Sequence, residues 1–272
     1  MPRKVAVLLS VYGRDDFKAL KQAVESVLNQ TYSNFILYIY RDGVIDGSVQ
    51  VYLDRLVSED DRVVLLVGDF NQGLAYALNQ LIDRALQDGA DYLARMDSDD
   101  ISLSDRLASQ VDFLEARREV DVLGAFCSEF DSEFSLPVKT VPLEHKELVD
   151  FSVARCPMIH PTVMFRARVF ESGLRYPTES ALSEDIALWH KLILEGYIFH
   201  NLDKVLLRYR LNNATLSRRT GLPKAMAELR LRLSFMIDSR NVSVNNIGLI
   251  VVKFFFHISP RWFVAFAYRH LR

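Results

Sequence analysis

The sequence predicts an α/β fold, with one mostly parallel central sheet flanked by helices and a C-terminal helical extension. Three observations carry this reading. Short β-rich runs alternate with longer helical patterns through the first half, as βαβ units require. A chain of 272 residues that is half hydrophobic holds enough material for one sizeable core. No internal repeat or low-complexity linker divides it.

Residues 5–11 read as the first, buried strand. Arg3-Lys4 ahead of that run imitates a secretory leader. However, Tyr12-Gly13-Arg14-Asp15-Asp16 ends the apolar stretch early, and no small-residue cleavage site follows. Residues 35–40, 63–67, 92–96 and 120–126 read as further strands. Between them Phe17, Leu20, Val24, Val27 and Leu28 recur at helical spacing. The set Leu74, Ala77, Leu78, Leu81, Ile82 does the same, as does Leu107, Val111, Leu114. The second half is less regular. Pro137 and Pro142 mark a loop or short edge strand, and 144–152 reads as a helix. Residues 161–166 read as a short strand, 183–195 as a helix opening on Glu184-Asp185, and 205–211 as a strand. A basic loop follows through Ser217-Arg218-Arg219, then a long helix from Pro223 to about 239 and an apolar, basic tail.

The net charge of −2 gives no basic field for nucleic acid. Cys127 and Cys156 lack the number for a disulfide framework and the spacing for zinc, so a reducing, cytoplasmic setting fits. No run reaches the ~20 uncharged apolar residues of a membrane span. The nearest, 247–258, is interrupted by Lys253 and His257.

Open parallel sheets bind ligands beyond the carboxyl ends of their strands, and every such segment here is polar or glycine-rich. The most informative is Asp97-Ser98-Asp99-Asp100, directly behind the apolar run 92–96. Two carboxylates ~4 Å apart cost on the order of 4 kcal/mol at an effective dielectric of ~20. Such a cluster therefore calls for a cation, and hard divalent ions prefer oxygen ligands. The alternative is a solvated acidic turn ahead of the helix that starts near Ser104 or Asp105. An EF-hand is excluded, because Ser102 stands where the loop needs Gly and Ala108 where it needs Glu. GxGxxG after a strand, GxxxxGK[ST] and GxSxG are all missing. The strand-end carboxylates Asp42, Asp97 and Asp99, with Asp185 later, suit sugar transfer from a nucleotide diphosphate instead.

With these residues in place, the chain resembles the family 2 glycosyltransferases of GT-A fold over residues 4–217. The resemblance rests on Ser10-Val11-Tyr12, Asn29-Gln30-Thr31-Tyr32, Arg41-Asp42-Gly43, Asn71-Gln72-Gly73, Asp97–Asp100 and Glu184-Asp185. Arg95-Met96 ahead of the acidic turn, 160–166 and Leu188-Trp189 are similar to the bacterial exopolysaccharide, amylovoran-type subgroup. The resemblance implies a catalytic domain at 1–217 and a helical extension at 218–272. It implies a nucleotide pocket of Ser10, Tyr12, Asp42, Asn71, Gly73 and Asp97, with Asp42 facing the pyrimidine edge. It further implies Mn²⁺ or Mg²⁺ on Asp97 and Asp99, and Asp185 as general base of an inverting transfer. The expected donor is a UDP-sugar, carrying a hexose or N-acetylhexosamine. The expected acceptor is a saccharide, lipid-linked, at the inner face of the cell membrane.

Asp185 lies in a predicted first helical turn, where the dipole favours an ionised carboxylate by ~0.3–1 kcal/mol. Glu184, His160 and Trp189 are candidates for the acceptor side. His160 is read either as structural or as lining that side, and Trp189 either as stacking on a sugar or as core. Asn212 and Arg218 are candidates for phosphate contacts. Three positions depart from the family pattern: Val44 where relatives carry serine, Asn212 where they carry histidine, and Gly173-Leu174-Arg175-Tyr176 ahead of the acidic pair. The tail beyond 244 mixes aliphatic, aromatic and basic residues, which suits either the membrane interface or packing on the domain. Two other readings are a nucleotidyltransferase, which lacks its glycine-rich triphosphate loop here, and a catalytically silent binding module.

Overall fold

The structure is a computed structural model that describes residues 2–179, 183–211 and 221–259. Its elements run β1 (Val5–Tyr12), α1 (Phe17–Leu28), β2 (Phe35–Asp42), α2 (Gly47–Glu59), β3 (Val63–Gly68), α3 (Leu74–Gln87) and β4 (Tyr92–Met96). They continue with β5 (Ile101–Ser102), α4 (Arg106–Ala116), β6 (Val122–Phe130), α5 (His145–Ser152), a 3₁₀ turn (His160–Thr162), β7 (Met164–Arg166) and α6 (Arg168–Glu171). The chain then forms α7 (Glu184–Leu194), β8 (Phe199–Arg210), α8 (Leu222–Asp238) and α9 (Val244–Ile258).

The eight strands form one sheet in the order β3-β2-β1-β4-β7-β6-β8-β5. The block from β3 to β4 is wholly parallel, and β6 runs parallel to β8. β7 is inserted antiparallel between β4 and β6. The α/β class and the mostly parallel sheet therefore hold.

Both faces of the sheet are covered, which is why its strands read as unbroken apolar runs. Along β1, Ala6 and Leu8 pack with Ala77, Leu78, Leu81 and Ile82 of α3. Val5, Val7, Leu9 and Val11 face the other way, toward Leu20, Val24 and Val27 of α1 and Leu107 and Val111 of α4.

Besides shifts of a few residues at strand ends, such as β6 running to Phe130 rather than 126, three differences from the sequence expectation bear on the fold. Helix α2 was not anticipated, because it offers the core only Val49 and Leu53 while exposing Val51 and Val57, which blurs its period. β8 starts at Phe199 rather than near 205. Of its polar stretch His200 and Asn201 are buried while Asp203 and Lys204 stay exposed, and Asn201 Nδ2 donates to the Pro142 and Pro157 carbonyls at 2.8 and 3.1 Å. Residues 160–166 divide into a 3₁₀ turn and a three-residue strand.

Register positions the site. Tyr12, Asp42 and Gly68 end their strands in one row. β4 stops at Met96, level with Leu9, so the acidic turn begins in line with Ser10. Gln30 then holds that turn's exit. Its Nε2 donates to the Leu103 carbonyl at 2.7 Å and its Oε1 accepts the Leu107 N–H at 3.0 Å, while the Thr31 N–H meets the Ser104 carbonyl at 2.8 Å. The Asn29–Tyr32 motif thus fastens the end of α1 to the segment behind the aspartates.

Candidate active site

The loops after β1, β2 and β3 meet so closely that two glycines are obligatory. A Cβ on Gly13 would stand 2.7 Å from the Val44 carbonyl oxygen. Gly43, at φ +82°, would place one 2.6 Å from the Asn71 backbone nitrogen. Asp42, buried at the end of β2, completes the junction. Its Oδ1 accepts the Gln72 N–H at 2.8 Å and its Oδ2 accepts the Gly73 N–H at 2.9 Å. One carboxylate thereby orients the entrance to α3, and each oxygen retains a second lone pair. Gly73 precedes α3 at φ +88°, and Asn71 is exposed beside Gly43. Ser10 and Tyr12 are half-buried on one side of β1, alternating with buried Val11. The nucleotide-pocket candidates therefore line adjacent strand ends.

At the end of β4, ligand oxygens of Asp97, Asp99 and Asp100 all lie within 4.8 Å of one another. The fold meets the repulsion with buried Arg95 and Arg106 and with a backbone N–H from Arg210, whose own guanidinium pairs with Asp131. Buried Arg95 pairs through Nη2 with Asp97 Oδ1 and through Nη1 with the Met96 carbonyl. Arg106, also buried, donates to the Arg95 carbonyl at 2.7 Å, and burial pushes its guanidinium down to about 9. From the far end of β8, Arg210 donates its backbone N–H to Asp100 Oδ1 at 2.8 Å and its Nε–H to the Asp99 carbonyl at 2.7 Å.

Asp100 is fully buried and its Oδ2 has no hydrogen-bond partner. Burial, reinforced by Asp97 and Asp99, pushes its carboxyl well above the usual range. An orphaned carboxylate oxygen beside two more carboxylates is the donor chemistry of a hard divalent cation, so the residues present fit Mn²⁺ or Mg²⁺.

A further carboxyl, Asp15, joins this cluster. It accepts the Tyr12 N–H at 3.0 Å, and burial pushes it up to about 7, with the Asp99 and Asp97 charges adding to the rise. Its neighbour Asp16 caps α1, accepting the Ala19 N–H at 2.8 Å. A double Asp at a helix start signals this division of labour, since one of the pair suffices as the cap. Arg95 had a signal too: a charged residue inside a strand buried along its whole length needs a partner. None of Asp100, Asp15, Arg95 and Arg210 was given a site role from the sequence, although Asp100 and Arg95 stand within the motifs it offered.

Glu184 and Asp185 form the first turn of α7, as expected. Asp185 Oδ1 accepts the Ile186 N–H at 2.7 Å, and the Cys156 thiol lies 3.7 Å from its Oδ2. Burial pushes that thiol up to about 12, so it stays protonated beside the carboxylate. Burial and the Asp185 charge also raise Glu184. Arg95 links the two acidic groups: its charge acts on Asp100, on Glu184 and on Tyr176, which also senses Asp185 and Asp97.

His160 Nε2 meets the Tyr176 hydroxyl at 2.9 Å, and burial together with Arg95 holds the imidazole well below its usual range, hence neutral. Asn79 fixes Tyr176 through two backbone hydrogen bonds of 2.9 Å. The sugar-stacking alternative for Trp189 is corrected. Trp189 is fully buried, stacked on Phe165 at 5.7 Å and edge-on to Phe199. Asn212 and Arg218 lie outside the described residues.

A family model described as glycosyl transferase family 2 matches residues 6–174. The amylovoran biosynthesis glycosyltransferase AmsE of Erwinia amylovora is 29% identical, over 83% of each chain. An Escherichia coli UDP-Gal:alpha-D-GlcNAc-diphosphoundecaprenol beta-1,3-galactosyltransferase is 28% identical, over 98% of this chain and 95% of its own. Among solved structures, the Pyrobaculum calidifontis mannosyltransferase PcManGT, in complex with GDP-Man and Mn²⁺, superimposes with a TM-score of 0.66. That match is 14% identical and covers 92% of this chain and 72% of the other.

Proposed function

The chain belongs to glycosyl transferase family 2, and from that premise we propose that it is a metal-dependent, inverting transferase. In this reading it moves a hexose or N-acetylhexosamine from a UDP-sugar to a hydroxyl of a lipid-linked saccharide, in surface or exopolysaccharide synthesis at the cytoplasmic membrane face. Residues 1–217 form the catalytic unit and 218–272 the extension. The observation that carries the reading is the cluster of Asp97, Asp99 and Asp100 oxygens within 4.8 Å, on the same sheet edge as the Asp42 junction. The E. coli relative's UDP-Gal donor and diphosphoundecaprenol acceptor, and the Mn²⁺ bound to the mannosyltransferase, support the donor, acceptor and metal classes.

Tyr12 and Asp42 hold the uracil, with a free Asp42 lone pair accepting its N3–H. Ser10, Asn71 and Gly73 border the nucleoside. Asp97 and Asp99 hold Mn²⁺ or Mg²⁺, which when bound neutralises charge developing on the departing diphosphate. Asp185 accepts the acceptor hydroxyl proton as the new C–O bond forms. The bond from the sugar C1 to the diphosphate breaks, and its electron pair stays on the phosphate oxygen, which inverts C1. His160, neutral and fixed by Tyr176, borders the acceptor beside Glu184.

Asp99→Ala tests the metal assignment. Calorimetry with UDP and Mn²⁺ should show wild-type binding that depends on metal, and a variant that melts normally but has lost that dependence. Equal metal-dependent binding in both proteins removes Asp99 from the site.

A further inference from the structure

Helices α8 and α9 form an antiparallel hairpin: residues 239–243 turn the chain, and the Gly221 N–H at the start of α8 meets the His257 carbonyl near the end of α9 at 2.9 Å. The hairpin is anchored to the catalytic unit. Arg232 donates to the Ser152 and Val153 carbonyls, and Phe235 stacks on His190 at 4.0 Å. Packing on the domain is thus realised for one face of the hairpin.

The other face is inverted. An ordinary surface helix turns apolar residues inward and charges outward. The two titratable side chains of α9, Lys253 and His257, instead point inward to Glu228 of α8, at 3.7 and 3.4 Å. Lys224 and Arg232 close the same knot around Glu228. Outward stand Val244, Ile247, Val251, Val252, Phe255 and Ile258, each between 42% and 88% exposed. Charges neutralised inside and apolar groups outside is the arrangement of helices in contact with lipid.

We infer that the outer face of α9 docks onto an anionic lipid bilayer, with the helix lying in the interface. The first of two observations favours that occupant over a protein partner, and the second decides that the helix lies flat rather than crossing. First, charge is segregated. Besides Lys253, which Glu228 holds, the sequence beyond Asp238 carries four Arg and no Asp or Glu, in a chain whose net charge is −2. The same stretch includes Trp262 and Tyr268, residue types that anchor at headgroup level. Second, length forbids crossing. The 15 residues of α9 rise about 22 Å, short of a ~30 Å hydrocarbon core. No helix among the described residues is long and apolar enough to span.

The inference extends the proposed function by naming the surface that brings the site to a lipid-linked acceptor, and its test is independent of transfer. The full chain and a Val252→Asp/Phe255→Glu variant are floated with vesicles of phosphatidylcholine, with and without phosphatidylglycerol. Both substituted positions are exposed, so melting temperature and UDP-sugar hydrolysis should be unchanged. Loss of hydrolysis in both proteins speaks against the transferase reading alone. Docking predicts that wild type floats with the anionic vesicles, weakens in high salt, and loses about tenfold or more of its bound fraction in the variant. A wild type that ignores both vesicle types, or a variant that floats equally well, overturns it. So does a wild-type dimer that the variant dissolves without any flotation, because the face then belongs to a second copy of the chain.

Discussion

Replacing Arg95 with methionine removes the buried cation that faces the acidic turn while keeping side-chain length. Its guanidinium is 2% exposed and contacts Asp97, whose side chain is 28% exposed. Breaking a buried pair by deleting one partner costs about 3–5 kcal/mol, and the partial exposure of Asp97 points to the lower end, about 3. An independent estimate agrees in scale. Two carboxylates 4.8 Å apart repel by about 3.5 kcal/mol at an effective dielectric of 20. For a chain of this size, about 3 kcal/mol corresponds to a melting temperature roughly 6–12 °C lower. Mn²⁺ binding should then raise the variant's melting temperature more than the wild type's, because the metal meets charge that the arginine no longer screens. At about a hundredfold excess over Kd the wild type gains about 2.7 kcal/mol. Arg95→Lys, which retains the charge, should fall between. The assay is thermal denaturation of all three proteins with EDTA or with Mn²⁺. A methionine variant as stable as wild type without metal, or one gaining no more from Mn²⁺, refutes the counter-ion argument.

Asp185→Asn should bind UDP-sugar normally yet transfer ~10²–10⁴-fold more slowly, since an amide cannot take the proton. Single-turnover transfer checks this, and a rate within a few-fold of wild type removes the base. Trp189→Ala should cost about 3–5 kcal/mol of stability, whereas Trp189→Phe should leave the acceptor KM unchanged; a raised KM at normal stability revives sugar stacking. His190 is buried, and burial pushes its imidazole from 6.5 down to about 4. Its neutral form is favoured in the folded state, so its contribution is intact above about pH 6.5 and is lost as pH falls toward 4, by up to about 3 kcal/mol. Urea titrations across that window should show a shallower acid loss for His190→Gln; parallel slopes contradict the assignment.

How legible the fold was depended on how each element spends its residues. β1, β2 and β4 are buried on both faces and announce themselves as apolar runs. Helix α7 was legible for its acidic first turn but misleading beyond it. Counting four residues from Asp185 sets Trp189 above the carboxylate, as if both faced the same ligand. The count ignores depth. Residues 186–190, 192 and 193 are all buried, so α7 beyond its first turn is mostly interior, with Lys191 and Leu194 exposed. Apolar residues on every side of a helix carry that signal, and spacing by itself does not.

The acidic turn shows a different limit. Reading three carboxylates in four residues as a demand for a bound cation assumes that only local sequence can answer the repulsion. Arg95 lies two residues from Asp97, inside a strand, and Arg210 arrives from a position 110 residues beyond Asp100. Pairing across the sheet brings both to one point, and no local pattern foretells the second. The Arg95 charge and the Arg210 backbone N–H relieve part of the repulsion and leave the orphaned Asp100 Oδ2 and the close-set Asp97 and Asp99 oxygens in place. A site neutralised to that degree can fold before metal arrives and still favour it afterwards. Carboxylates answered fully by arginine would have no reason to bind a cation, and carboxylates left wholly unanswered would resist being brought together without one.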